Sequence, residues 1–380
     1  MGEEISLTRT GITAEEFAGI SHLLRRSKTN ATVEAFEEAA AAAFDRTCCI
    51  SATSGGIAIE LALAATGIGP GDEVILPAIG ARSAAAGAQR LGATVQAIDV
   101  DPRTLCMRVE DAEAAISERT KVMVASSALG CPAGMDELSA LATRSELPMI
   151  EIVGPSIGGS VRGERSARFG RMAVIDLGQA SPLSTESGGL ILTHDDHLDA
   201  LLRDLRNGRR AIGPNGRLAS NAPGYDAPLD DVRAALGLVR LGKLDSVIAR
   251  RAEMAGSYIR ALSGHSDLIV QTAPEGVQMG WSRMLVRLSD RFSVEERDEI
   301  IEGLARHDII GDPLIELAQH SIAPTILEGQ SWPVAERATD RAISLPFHDQ
   351  LREREIDLVA QTLELMITRT SFRRDDLPGF

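Results

Sequence analysis

Residues 67–105 read GIGPGDEVILPAIGARSAAAGAQRLGATVQAIDVDPRTL. Gly67, Gly69, Pro70 and Gly71 mark a turn, and the apolar run that follows predicts a buried strand at 73–76. A helix is predicted near 81–91 and a second strand at 94–98. A strand, a helix and a strand within about 30 residues make a crossover unit, which joins parallel neighbours in one sheet.

The same alternation extends in both directions. Upstream, an amphipathic helix at 33–46 leads to a short strand at 47–51. Ser54-Gly55-Gly56 then opens a helix that runs to about 66. Downstream, helices at 108–117 and 134–145 alternate with strands at 121–126 and 148–153. Strands at 172–177 and 189–193 and a helix at 195–206 complete the pattern. This order predicts an α/β fold with a mostly parallel sheet covered on both faces. Ligands of such sheets bind at the carboxyl ends of the strands. The stretch 205–228, rich in Gly, Pro, Asn and Arg, reads as an extended loop, and one long helix is predicted over 229–262. Residues 265–367 have the pattern of a small α+β unit, and the tail 368–380 is expected to be loosely held. The expected division is a large α/β domain over 1–245, with an N-terminal segment at 1–30, and a small C-terminal domain over 246–380.

Composition narrows the partners. The formal charge is −15, and an acidic surface repels nucleic-acid phosphates and anionic lipid. No apolar run approaches the roughly 18 residues of a membrane span, and MGEEISLTRTG carries no apolar signal segment. The four cysteines, Cys48, Cys49, Cys106 and Cys131, lack metal-ligand spacing and are expected to be reduced thiols of a cytoplasmic protein. Of 39 basic residues only three are lysines: Lys28, Lys121 and Lys243. An arginine-rich composition suits a surface, but arginine cannot replace a lysine that reacts as an amine.

Several runs together carry a resemblance. GIGPGDEVILP (67–77), LGATVQAIDVDPRTL (91–105), Glu186-Ser187-Gly188-Gly189, GYDAPLDDVRAAL (224–236) and PVAERATDRAISLPFHDQL (333–351) resemble the DegT/DnrJ/StrS-type sugar-nucleotide aminotransferases. The likeness runs from about residue 4 to 367. It implies a pyridoxal phosphate (PLP) fold type I scaffold with a mixed, mostly parallel seven-stranded sheet and a small C-terminal domain. It also implies a homodimer with its sites at the interface.

The likeness fails where that chemistry resides. The family's Ser-Phe-His-Pro-Thr-Lys segment falls on Asp176-Leu177-Gly178-Gln179-Ala180-Ser181, so the Schiff-base lysine position is Ser181. Gly158, Gly163 and Gly170 upstream and Gly188-Gly189 downstream fix the register. No lysine lies between Lys121 and Lys243, and a Schiff base needs a primary amine within reach. The aspartate that pairs with the pyridine nitrogen is replaced by Ile152, its neighbouring glutamine by Pro155 and the stacking aromatic by Ala81. The threonine of the phosphate loop is replaced by Gly56, the phosphate-contacting serine by Asp176, and the partner subunit's asparagine position is Asp226. Two carboxylates facing a phosphate would each repel it by roughly 4 kcal/mol at about 4 Å and an effective dielectric near 20. That exceeds a charged hydrogen bond of about 1.5–3 kcal/mol. Either the anion stays out, or the aspartates bind as neutral acids. Gly55-Gly56 at a helix start still offers N–H groups, read here as serving the turn. Some family members carry histidine at the lysine position and dehydrate sugars; no histidine stands near 181.

The remaining candidates have structural readings. His194-Asp195-Asp196-His197 is read as a helix cap rather than a metal site. Arg203/Arg206/Arg209/Arg210 and Arg250/Arg251 are read as mostly solvated faces, of which a subset near 205–228 offers diphosphate contacts. Ser181 and Asp176 lack a histidine base, and Glu151 and Glu186 are read as structural. The expected vestigial pocket is therefore Gly55, Gly56, Ala81, Ile152, Pro155, Asp176, Ser181 and, from the neighbouring subunit, Asp226, with no catalytic residue, no metal and no cofactor. Three functions fit this pocket. One is a partner in a homodimer or in a heterodimer with an active paralogue. Another is a regulatory or sugar-nucleotide-binding protein in surface-polysaccharide or secondary-metabolite sugar biosynthesis. The third is an enzyme with PLP-independent chemistry.

Overall fold

The computed structural model describes residues 4–8, 11–26, 31–127, 129–208, 224–314 and 330–375. The strands in chain order are β1 Cys48–Ala52, β2 Glu73–Pro77, β3 Thr94–Ile98, β4 Thr120–Ser126, β5 Met149–Ile152, β6 Ser160–Val161 and β7 Glu164–Arg165. They continue with β8 Met172–Asp176, β9 Gly189–Thr193, β10 Leu268–Val270, β11 Val277–Gln278, β12 Met284–Leu288, β13 Asp312–Pro313 and β14 Ala342–Leu345.

Seven strands form the main sheet in the order β1-β9-β8-β5-β4-β2-β3. β9 alone is reversed, running antiparallel to both β1 and β8, so the sheet is mixed but mostly parallel, as expected. Alternate strand residues reach opposite faces, and both faces are covered. Ile50, Val124, Ile150 and Val174 pack with the helices Gly55–Ala65, Arg82–Arg90 and Asp196–Arg206. Met123, Ala125 and Met149 pack with Met135, Leu138 and Leu141 of the helix Met135–Arg144 on the other face. Ala173 and Ile175 meet Phe36 and Ala40 there.

A second sheet, β10-β12-β14-β13, is antiparallel throughout. Its Met284, Val286 and Ile343 bury against Tyr258, Ile300 and Leu363 of three helices, Leu244–Leu262, Val294–Ala305 and Glu353–Asp375. This is the strand and helix mixture expected for 265–367. A short three-stranded sheet, β11-β6-β7, ties the two parts together.

Three expectations need correction. The helix read over 229–262 is two helices, Asp231–Leu241 and Leu244–Leu262. Gly242 donates to Leu238 O and Lys243 donates to Arg240 O, closing the first helix before the second begins. The tail 368–380 is not loose at its start, because the last helix runs to Asp375 and buries Thr370. The extended loop 205–228 begins only after the helix ending at Arg206, and 209–223 lie outside the described residues. A helix at Ala14–Arg26 was not anticipated, although Thr13 and Glu16 exchange side-chain and backbone hydrogen bonds as a capping pair.

Candidate functional site

A cleft of about 400 Å³ opens at the carboxyl ends of the central strands. Ile152 ends β5, Pro155 lies in the turn after it, Asp176 ends β8 and Ser181 follows. Gly80 enters from the loop after β2, Arg82 and Ser83 from the start of the helix Arg82–Arg90, and Ser282 and Arg283 from the segment before β12. Four of the residues singled out from sequence, Ile152, Pro155, Asp176 and Ser181, therefore meet in one cleft.

Asp176 decides what the cleft can hold. Its carboxylate accepts the Gly178 N–H at 3.1 Å and also the N–H of Gly55, the first residue of the helix Gly55–Ala65. A Cβ added at Gly55 would lie 2.4 Å from Asp176 Oδ1, so only glycine permits this approach. The side chain reaches water through the cleft mouth but has protein on its other sides. That burial raises its pKa above the ordinary carboxylate value, against the two N–H bonds that lower it. Two residues on, Ile57 N–H is taken by Ser54 Oγ at 3.2 Å, and Ala58 N–H by Ser54 O at 3.0 Å. The positive end of this helix is thus met by the chain's own carboxylate.

Ser181 is nearly buried. Its Oγ accepts the Leu183 N–H at 3.2 Å within its own turn. Behind it lies the buried Arg251, which donates to the carbonyls of Ala180, Trp281 and Ser282 and sits 5.8 Å over the Phe347 ring. No lysine or histidine is among the described residues lining the cleft. Lys121 stands at the amino end of β4, away from the carboxyl ends, and Lys243 pairs with Glu15.

The other expected pocket members sit beside the cleft. Gly56 follows Gly55 on the helix. Ala81 is buried in the main core, between the lining residues Gly80 and Arg82. Asp226 bridges to Asn207 on this chain, away from the chain's own cleft.

Several surrounding charges are structural. Glu151, fully buried on β5, accepts N–H groups of Ala167, Phe169 and Gly170 at 2.9, 3.0 and 3.3 Å. Burial raises its pKa despite those bonds and the nearby Arg46, which donates to Ala167 O and Gly170 O. Asp195 caps the helix Asp196–Arg206 by accepting the N–H groups of His197 and Leu198, and it pairs with Arg171. The reading of Arg203, Arg206 and Arg251 as solvated is wrong. Arg203 and Arg206 both bind Glu37, and Arg206 and Arg251 are buried. Glu37 lies 166 residues before Arg203, and only the folded chain brings the two together. Arg209 and Arg210 lie outside the described residues. Arg82 and Arg283 at the cleft were missed from sequence, because nothing in ARSAAAG marks Arg82 as pocket-facing.

The resemblance implies PLP at the carboxyl ends of these strands, but the residues that line the cleft do not fit that group. Among the described residues lining the cleft none carries an amine to bind the aldehyde, Ile152 is no acid to protonate the ring, and the first N–H of the helix, at Gly55, already meets Asp176.

The comparisons with known proteins agree with the fold. Residues 12–364 match the DegT/DnrJ/EryC1/StrS aminotransferase family. GDP-perosamine synthase of Caulobacter vibrioides is 31% identical over 321 residues, covering 84% of this chain and 85% of the relative. A pleiotropic regulatory protein of Geobacillus stearothermophilus is also 31% identical over 321 residues, covering 83% of each. The solved sugar aminotransferase Spr1654 of Streptococcus pneumoniae, in its PMP form, superposes with a TM-score of 0.90 at 20% identity, covering 98% of this chain and all of that one. Together with the sheet order and the position of the cleft, these matches show that the chain belongs to the DegT/DnrJ/EryC1/StrS aminotransferase family.

Proposed function

We propose that this member of the family does not transaminate through PLP. In this reading it acts as a dimerising, regulatory or sugar-nucleotide-binding protein of cytoplasmic sugar metabolism, in surface-polysaccharide or secondary-metabolite pathways. The observation that carries the reading is the Asp176 carboxylate seated on the Gly55 and Gly178 N–H groups. An internal anion at that point takes the donors and the dipole that a cofactor phosphate would use. Ser181 at the lysine position removes the covalent anchor as well.

Dimerisation is supported by exposed apolar residues on packed elements. Ile12 and Phe17, at the first helix, and Val232, on the helix packed against it, leave large side chains in water. The active relatives named for amino-sugar synthesis suggest the pathway class, and the relative named as a regulator supports a role other than catalysis. Among the described residues no helix is long and apolar enough to cross a membrane.

The test joins three measurements. The purified chain is expected to transfer no amino group from glutamate to an oxo-sugar nucleotide. Co-expression with a lysine-bearing family member, followed by native mass spectrometry, is expected to give mixed dimers; homodimers alone would remove the heterodimer. Thermal-shift titration with UDP- and GDP-sugars reports the ligand, and no shift with any of them would remove retained sugar-nucleotide recognition. Measured transamination would overturn the whole reading.

A further inference from the structure

A larger cavity than the cleft, about 750 Å³, lies between the edge of the main sheet and the second sheet. Its walls are the turn Pro102–Thr104 after β3, the end of β10 with the segment that follows, Arg287 of β12, and the helix Pro333–Asp340 with Arg341. Four arginines line it, Arg103, Arg287, Arg337 and Arg341, against two carboxylates, Glu275 and Asp290. In a chain of formal charge −15 this is a local reversal of sign.

The inner arginines spend their short hydrogen bonds on backbone carbonyls. Arg287 donates to Pro102 O at 2.9 Å. Arg341 donates to Arg337 O at 3.2 Å and to Asp290 O at 3.4 Å. Its Nε is buried without a hydrogen-bond partner, and the Asp290 carboxylate comes only to 3.8 Å from it. A carbonyl satisfies an N–H group without neutralising the guanidinium; Asp290 and Asp101 supply opposite charge to Arg341 and Arg287, and the four arginines still outnumber these carboxylates and Glu275. Arg103 and Arg337 stand exposed at the rim. On the wall, both amide atoms of Gln271 are buried with no hydrogen-bond partner, while Val270, Val334 and Ala338 supply apolar surface. Unsatisfied polar atoms beside a cavity with surplus cations call for a ligand that brings both charge and hydrogen bonds.

We propose that this groove is a second ligand site, separate from the cleft, for a small organic phosphate of the nucleoside diphosphate class. The phosphoryl groups bind the arginines, the body lies on Val334 and Ala338, and a hydrogen-bonding edge meets the Gln271 amide. This site does not depend on the proposed loss of PLP chemistry.

The test is calorimetric titration of the full chain with UDP, inorganic pyrophosphate and uridine. UDP is expected to bind saturably, one per chain, in competition with pyrophosphate, which binds more weakly. The double variant Arg103→Glu/Arg337→Glu, on exposed positions, is expected to weaken both by about tenfold or more. Gln271→Leu is expected to weaken UDP several-fold and leave pyrophosphate unchanged, a difference that general surface charge would not produce. Arg82→Ser, in the cleft, is expected to leave UDP binding intact. Absent saturable binding of UDP and pyrophosphate, unchanged affinity in the double variant, or a loss that follows Arg82→Ser would each overturn the proposal. UDP binding no tighter than pyrophosphate would overturn the part assigned to Gln271.

Discussion

Glu151 and Asp176 stand on neighbouring strands, and the comparison between them explains the site. Glu151 pairs across β5 and β8 with Ala173, three residues before Asp176. Both carboxylates accept backbone N–H groups, and burial raises both pKa values. Glu151 is sealed in, with three amides and Arg46 around it, and its bonds fold the segment 167–170 against the sheet. Asp176 has two amides and opens to the cleft. The first carboxylate builds the frame. The second fills a space that the frame leaves open. The same chemistry is therefore structural or site-occupying according to whether water can replace it.

That difference is open to mutation, and the largest effect is expected at Glu151. Glu151→Ala strands three buried N–H groups and the Arg46 charge, and is expected to cost about 3–5 kcal/mol in urea unfolding. A loss below about 1 kcal/mol would show that water replaces this carboxylate too, and the distinction would fall.

Arg251→Ala removes donors to three carbonyls and the cation over Phe347. A cost of about 2 kcal/mol is expected. Faster amide exchange at Leu183 and Thr185 would show that Arg251 holds the turn carrying Ser181.

Asp176→Ser should barely change stability, by less than about 1 kcal/mol, because water can enter from the cleft to meet the Gly55 and Gly178 N–H groups. The same variant is expected to bind inorganic phosphate about tenfold more tightly than the parent. Unchanged phosphate affinity would show that the carboxylate does not block the helix start.

The smallest effect is in pH. The folded pKa of Asp176 is raised, so its charged form is the disfavoured one in the folded chain. As pH falls through that folded value the folded state takes up the proton before the unfolded state does. Relative to Asp176→Asn, the parent should therefore gain stability on acidification toward the ordinary carboxylate range, and then level off. A gap that moves the other way would mean that the two N–H bonds outweigh burial.

Much of this frame was legible before any coordinates. Strand and helix periods placed all seven strands of the main sheet, and Ser54 before Gly55-Gly56 marked the helix that reaches Asp176. Gly242 was read through as helix, because a single glycine inside an apolar period does not announce a break. The arginines were misjudged because a pair such as Glu37 with Arg206 depends on tertiary distance, not on spacing. At the site, register alone set Ser181 and Ile152 in one pocket, and the cleft is lined by both. The role of Asp176 could not be read that way. From sequence it was a charge repelling a phosphate, whereas in the fold it sits on the amides of Gly178 and of Gly55 at a helix start.

The most direct measurement is equilibrium dialysis of the parent chain and Asp176→Ser against PLP, followed by borohydride and read at the cofactor's visible absorption band. The parent is expected to retain no PLP. Asp176→Ser is expected to retain some, which inorganic phosphate displaces and borohydride fixes in neither chain. PLP held by the parent, or a borohydride-fixed label on it, would contradict the account.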